Sequence, residues 1–135
     1  WWLAKPYFAE SEEAGWRALT WSLAGSANHA FRFTMDDKFV PEILRDGIRE
    51  LQNGYAAHQH AKVGQGDHNA SLVEEAGLTE FLGRRFTICG PPDRMIEHIR
   101  ELQGFGVRNL FLTQLVEDRI SFMRRLSHEI FPAFK

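Results

Sequence analysis

The chain has 135 residues, of which 44% are hydrophobic and 25% charged, with 16 basic and 18 acidic side chains. This size and composition indicate one globular domain and exclude both a disordered chain and a strongly charged surface for nucleic acid. No apolar run approaches the ~20 residues of a membrane-spanning helix, and the single cysteine, Cys89, excludes an internal disulfide and favours a reducing, cytoplasmic location.

The first segment predicts a strand followed by a helix. Residues 3–9 have the composition of a strand, and Pro6 within them favours an edge position or a bulge because proline lacks an N–H. Ser11 and the two glutamates after it predict an N-cap and an acidic first turn for a helix that runs to about Gly25. Two adjacent tryptophans at the start are typical of a protein interior. We therefore expect the carboxyl-terminal part of a longer protein, with a trimmed leader as the alternative.

The middle of the chain predicts two helices separated by a loop. Pro41 suits the first turn of a helix, whose apolar positions follow the three-four spacing of one buried face. These positions are Val40, Ile43, Leu44, Ile48 and Leu51. Residues 54–69 lose this pattern, which predicts a long loop that acts as a lid or binding segment. Ser71 and Glu74 then predict a capping box for a short helix.

The last part of the chain predicts strand, helix, strand and helix, with the strands near 86–89 and 107–112. The helix between them carries Met95, Ile99 and Leu102 on one inward stripe. The final helix, from Val116, is expected to bury Val116, Ile120, Met123, Leu126 or Ser127, and Ile130. We expect one partial domain, with a strand and helices over 1–53, the loop over 54–69, and the last two βα units over 70–135.

The carboxyl ends of the two later strands carry the residues of a candidate site, because α/β folds bind ligands at that edge of the sheet. These residues are Cys89, Gly90, Thr113 and Gln114. A structural role is the alternative for each of them. Two prolines and Asp93 after Gly90 suit a helix start, a lone cysteine after an apolar strand suits a core, and Thr113 with Gln114 suits a turn.

Histidines in the predicted loop form a second candidate set. His58, His60 and His68, with Asp67, resemble a metal cluster, because a His-x-His pair shares one face of a strand. The surrounding sequence is rich in glycine and contains no cysteine. We therefore expect a substrate-gating loop and no metal site.

The order of these motifs resembles one known family. Residues 89–102, then Gly106-Val107, then the strand at 109–112, resemble the carboxyl-terminal signature of the bacterial-luciferase-like flavin oxidoreductases. That signature is a strand, a Gly-x-Pro-Asp/Glu turn, an amphipathic helix, a Gly-Val pair and the last barrel strand. Residues 129–135 are similar to the final helix and closing proline of the family, and residues 3–14 are similar to its sixth-strand region.

The resemblance implies an α/β fold that is the carboxyl-terminal fragment of a TIM (β/α)8 barrel, with about three parallel strands and their helices. It implies that FMN, or a deazaflavin coenzyme in the sister branch, binds at the carboxyl face, near Cys89, Gly90, Thr113 and Gln114. The implied activity is the oxidation of a small organic substrate by reduced flavin and molecular oxygen. A flavin reductase and a second copy of the chain are the implied partners.

A complete barrel needs eight βα units and ~250 residues, and residues 28–82 show little of the resemblance. We therefore expect the catalytic residues in an absent amino-terminal part, and weak or no flavin binding by the isolated chain. Three alternatives remain open. They are a deazaflavin-dependent hydride-transfer oxidoreductase, a non-catalytic truncated family member that acts as an association module, and an unrelated α/β ligand-binding domain.

Overall fold

A computed structural model describes residues 1–60, 63 and 67–134 of the protein. Within them the elements follow in the order β1 (Trp2–Phe8), α1 (Glu12–Phe31), α2 (Glu42–Gly54), α3 (Asp67–Glu75), α4 (Thr79–Phe86), β2 (Thr87–Gly90), α5 (Pro92–Gly104), β3 (Leu110–Leu112) and α6 (Arg119–Arg125). Shorter turns are the 3₁₀ turn Ala57–Gln59, the π-helical turn Leu126–Ile130 and the 3₁₀ turn Phe131–Phe134, and the last two directly follow α6.

The strands that the structure describes form one parallel sheet with the order β2-β1-β3. Phe8 at the end of β1 lies opposite Gly90 at the end of β2. Ala4, in the middle of β1, lies opposite Leu112 at the end of β3. The expectation of an α/β fold with about three parallel strands is confirmed.

The expectation that Pro6 marks an edge strand is wrong, because β1 is the central strand of the sheet. In a parallel sheet, alternate residues of a strand bond to opposite neighbours. Ala4 accepts a bond from Thr113, on the β3 side, and Ala9 donates to Gly90, on the β2 side. The ring nitrogen of Pro6 therefore faces the β3 side, where the pairing has already ended at Ala4, and no ladder bond is lost.

The order of the strands in the sheet differs from the order expected for a TIM barrel. Neighbouring strands of a TIM barrel are consecutive in sequence, which would give the order β1-β2-β3. Here β1 lies between the other two strands, as in doubly wound sheets, where the chain reverses its direction of growth. Within the described residues the sheet is open, so the barrel fragment stays a prediction.

The chain divides into two compact units, Trp1–Gly15 with Phe86–Lys135, and Trp16–Arg85. The first unit contains the sheet. Its core consists of side chains from β1, β2, α5 and the last helical turns, and these are Ala4, Ile88, Met95, Ile99, Leu102, Phe122, Leu126 and Ile130. The predicted inward stripe of α5 is confirmed. The single partial domain, with boundaries after residues 53 and 69, stays a prediction.

The final helix begins later than expected, at Arg119, and buries a different face. The Asp118 side chain accepts a hydrogen bond from the backbone N–H of Ser121 at 2.9 Å and caps the helix. Phe122 faces inward, on the same side as Leu126 and Ile130, which follow it at four-residue spacing. Ile120 is 67% exposed and Met123 42% exposed, so their predicted burial is wrong, and Leu126 and Ile130 retain the predicted inward position.

Two helix predictions need correction in their length or buried face. The Ser11 hydroxyl caps α1 by accepting a bond from the N–H of Ala14 at 3.1 Å, as predicted, but α1 continues six residues beyond Gly25. In α2, the predicted inward residues Ile48 and Leu51 are buried. Ile43 is 89% exposed, so its predicted burial is wrong.

The predicted loop over residues 54–69 is partly helical. Gly54 ends α2, a 3₁₀ turn occupies 57–59, and α3 begins at Asp67. Ser71 therefore lies inside α3, where its hydroxyl donates to the carbonyl of Asp67 at 3.1 Å, and the predicted capping box is wrong. Residues 61, 62 and 64–66 of this segment lie outside the described residues.

Candidate functional site

Cys89 lies at the carboxyl end of β2, with its side chain in the protein interior. It is 1% exposed, and a Cβ added at Gly15 would lie 2.5 Å from the Cβ of Cys89, so α1 packs closely over it. Burial raises the pKa of the thiol to about 11. The thiol is neutral at pH 7 and behaves as a small core side chain, as in the structural alternative. A cofactor contact from this position would therefore come from its backbone.

Gly90 provides the turn from β2 into α5. Its φ of +121° is a conformation that side chains with a Cβ rarely adopt. Its carbonyl accepts a bond from the N–H of Ala9 at 3.1 Å. The side chains of Arg94 and Glu12 lie 3.6 Å from the position of an added Cβ, so they cover this buried glycine.

An ion-pair cluster therefore occupies the carboxyl end of β2. The Arg94 guanidinium binds the carboxylate of Glu12 at 2.9 Å, that of Glu101 at 2.9 Å and that of Glu97 at 3.3 Å. The two close carboxylates raise the pKa of Arg94, and the guanidinium lowers the pKa of Glu101. The cluster joins the start of α1 to α5 inside the first unit. Its only signals in the sequence were the acidic start of α1 and the arginine two residues after the proline pair.

Thr113 and Gln114 follow β3 directly and are half-buried. The Thr113 N–H donates to the carbonyl of Ala4 at 3.0 Å, which extends the pairing of β1 with β3 by one bond. The Gln114 amide nitrogen contacts the sulfur of Met123 on α6. The Thr113 hydroxyl and the Gln114 carbonyl oxygen are the polar groups that this end of the sheet offers to a ligand.

The two predicted pairs of site residues lie at different levels of the sheet. Gly90 pairs with Phe8, whereas the end of β3 pairs with Ala4. At ~3.3 Å per residue, the carboxyl ends of β2 and β3 are offset by about 13 Å along β1, and two strand spacings separate them by about 10 Å across it. The structure therefore does not bring Cys89 and Gly90 together with Thr113 and Gln114 in one pocket.

Two histidines of the predicted gating loop contact the end of α2 and the residue that follows it. His68 Nε2 lies 2.8 Å from the carbonyl oxygen of Gly54, and His60 Nδ1 contacts the hydroxyl of Tyr55. His58 is exposed on the 3₁₀ turn. Among the residues that the structure describes, no three His, Cys, Asp or Glu side chains lie close enough to hold a metal ion. A role in gating substrate stays a prediction.

Lys5 is a buried cation that the sequence analysis missed. It lies in the central strand with 7% of its surface exposed, and burial lowers its pKa to about 8. Its ammonium nitrogen lies 5.9 Å from the centre of the Phe86 ring. The signal in the sequence was a lysine between Ala4 and Pro6, inside a strand whose neighbours are apolar.

The candidate residues of this chain would contact only one edge of a bound flavin. Thr113 and Gln114 offer hydrogen-bonding groups, and the Gly90 turn leaves no side chain of its own in the way, although Arg94 and Glu12 cover it. A flavin also needs contacts to its phosphate and to both faces of its ring. The resemblance implies that those contacts come from the earlier strands of the family's barrel.

The chain has no match among family models, curated proteins or solved structures. No helix in the described ranges has both the length and the apolar character that a membrane crossing requires.

Proposed function

We propose that this chain is the carboxyl-terminal part of a luciferase-like flavin-dependent oxidoreductase, in which it forms the last strands of the barrel and one edge of the flavin site. The reduced flavin would supply the electrons for the oxidation of a small organic substrate by molecular oxygen. FMN is the proposed cofactor, and a deazaflavin coenzyme is the alternative. A cytoplasmic location, a flavin reductase as partner and a homodimer belong to the same proposal.

The parallel direction of all three strands is the observation that carries the proposal. A barrel of this kind requires parallel strands joined through helices, and antiparallel pairing beside Cys89 or Leu110 would have contradicted it. The glycine turn at Gly90 and the helix that follows it agree with the resembling signature. Because Gly90 and Thr113 are separated, the proposal requires other parts of the protein to complete the site.

The strand order sets a condition on the proposal. In a closed barrel, β3 would pair with β2, on the edge of β2 that has no strand partner within the described residues. The short β3, which makes its contact with β1 through three paired positions, is the element that would move. We propose that contacts with the rest of the barrel move β3 from its pairing with β1 to a pairing with β2.

An association module is the second candidate, and one surface favours it. Leu3 and Phe111 are register partners on one face of the sheet, and they are 51% and 58% exposed. Parallel sheets are normally covered on both faces. Trp1, which precedes β1, is 86% exposed. A polypeptide covering this face would bury Leu3 and Phe111.

The test uses the longer natural polypeptide of which this chain would be a part. We expect Gln114→Leu to weaken its FMN affinity, because the substitution removes the amide at the carboxyl end of β3. Gln103→Leu is the matched control, since Gln103 lies near the end of α5. FMN affinity is measured by the quenching of flavin fluorescence, and activity by the oxygen consumed with reduced flavin.

Two results would overturn the proposal. An intact-mass measurement that finds the natural protein no longer than this chain would exclude a missing barrel. A longer polypeptide that binds neither FMN nor a deazaflavin would exclude the flavin enzyme and leave the association module.

A further inference from the structure

The first unit contains a cavity of about 320 Å³ beneath the sheet. Its walls come from the sheet, α5 and the turns after α6, with Ile88, Ile99 and Ile130 as examples from each. Native cores are packed with few voids larger than a water molecule. This volume instead falls at the lower end of the ~300–1,000 Å³ range of small-molecule sites.

The lining is apolar except at one end. Of the side chains that line the cavity within the described residues, only those of Gln103 and Arg108 are polar. Gln103 is near the end of α5, and Arg108 lies two residues before β3. Gln103 therefore lies just before the connection between α5 and β3 and Arg108 lies within it, and the rest of the wall is hydrocarbon. A ligand that matches this wall has an apolar body and one polar end.

The charge of Arg108 defines the polar end. No carboxylate lines the cavity in the part of the chain that the structure describes, and Arg108 makes no ion pair or hydrogen bond there. Arg94 and Arg125, two of the five arginines of α5 and α6, instead bind glutamates. A planar guanidinium without a carboxylate partner suits a ligand carboxylate, which it binds through two parallel hydrogen bonds.

The backbone on the far wall of the cavity is also unusual. Leu126 and Ile130 are the first and last residues of a π-helical turn, and both line the cavity. Such turns are rare and are found frequently at functional sites. The wider turn, followed at once by the 3₁₀ turn Phe131–Phe134, holds the end of the chain around the cavity and does not fill it.

We propose that this cavity binds an aliphatic monocarboxylate of medium chain length, with its hydrocarbon tail against α5 and its carboxylate on Arg108. At the ~30 Å³ that a water molecule occupies in the liquid, the cavity holds about ten non-hydrogen atoms, the number in octanoate. Gln103 is the other polar side chain of the lining, and its amide would serve as a second donor to the carboxylate.

This site does not depend on the proposed flavin edge, but it requires the observed pairing of β3 with β1, because Leu110 and Leu112 of β3 line the cavity. It therefore belongs to the chain as observed and not to a barrel in which β3 has moved to β2. Arg108 precedes β3, whereas Thr113 and Gln114 follow it, so the two sites lie at opposite ends of that strand. The carboxylate would bind without flavin, and its failure to bind would leave the proposed oxidoreductase untouched.

The experiment is a calorimetric titration of the chain with octanoate, in the absence of flavin. Octanol is the matched neutral ligand, and acetate is the matched anion without a tail. We expect octanoate to bind about tenfold more tightly than octanol, the ratio typical of one charge-assisted interaction, and acetate to give no measurable binding. Octanoate should also raise the midpoint of thermal unfolding.

Two arginine variants locate the carboxylate. Arg108→Gln should weaken octanoate binding about tenfold and leave octanol binding unchanged. Arg100→Gln is the matched control, because Arg100 is an exposed cation of α5 that does not line the cavity, and it should bind as the wild type does. Ile99→Phe, which adds volume to the wall, should abolish binding of both ligands while circular dichroism confirms its fold.

Three results would overturn the proposal. They are the absence of octanoate binding to the folded chain, equal affinities for octanoate and octanol, and equal losses in the Arg108→Gln and Arg100→Gln variants.

Discussion

Replacing Lys5 by methionine should stabilise the protein at neutral pH, although it removes a charge and a cation–π contact. Lys5 is held in the central strand, where burial lowers its pKa from 10.5 to about 8. At ~1.36 kcal/mol for each pKa unit, the charged lysine costs the native state about 3 kcal/mol. The contact with the Phe86 ring is worth about 1 kcal/mol. Methionine has a similar length without the charge, but it cannot reproduce the further interaction that Lys5 makes. We therefore expect a net gain of less than about 2 kcal/mol.

The gain should depend on pH in a defined direction. Below pH 8 Lys5 is charged in both the native and the unfolded state, and the full cost is present. Between pH 8 and 10.5 the native state has released a proton that the unfolded state still binds, so the stability of the wild type rises with pH. The advantage of Lys5→Met should therefore shrink across this window. Cys89, with its raised pKa, titrates equally in both proteins and cancels from the difference.

The assay is urea unfolding of both proteins, followed by circular dichroism, at pH 7 and near pH 10.5. Arg100→Met is the control, because it removes an exposed cation from α5, and it should change the free energy of unfolding by less than about 0.5 kcal/mol. A Lys5→Met protein that is less stable than the wild type by the same amount at both pH values would refute the reasoning. It would mean that the ammonium is stabilised in place and carries no desolvation cost.

Three further predictions concern individual contacts. Asn69→Ala should destabilise the protein by about 2 kcal/mol in urea unfolding, since the buried Asn69 side chain binds both the N–H and the carbonyl of Ala56; an unchanged midpoint would contradict this. Gly15→Ala should lower the thermal midpoint because its Cβ would overlap Cys89, whereas Gly104→Ala, which meets no neighbouring atom, should leave it unchanged or raise it. Cys89 should react with a thiol-specific disulfide reagent only after unfolding, and rapid labelling of the native protein would show that its thiol is accessible.

The sequence predicted well those features that depend on local pattern. The stripe of Met95, Ile99 and Leu102 in α5 needed only the helical period, and the Ser11 cap needed only a hydroxyl before two glutamates. The predicted start of the final helix, Val116, lies three residues before the observed start, Arg119, because the N-cap signal of Asp118 was missed. Phe122, Leu126 and Ile130 follow one another at four-residue spacing and share one buried face, whereas Ile120 and Met123 lie off that face.

The features that depend on pairing between distant segments could not be read from the sequence. The proline rule for strands gave the wrong position for Pro6, because the rule assumes that both neighbours extend past the proline, and β3 ends before it. The separation of the candidate site residues also depends on how distant strands pair. Gly90 and Thr113 each end a strand, yet the offset between β2 and β3 along β1 decides whether they meet, and no local pattern encodes that offset.

The central claim is that most of the flavin site lies outside this chain. Its most direct test is the dissociation constant for FMN, measured by fluorescence quenching for the 135-residue chain and for the longer natural polypeptide under the same conditions. We predict tight binding by the longer polypeptide and weak or no binding by the chain alone. Tight binding by the chain alone, or none by the longer polypeptide, would contradict the claim.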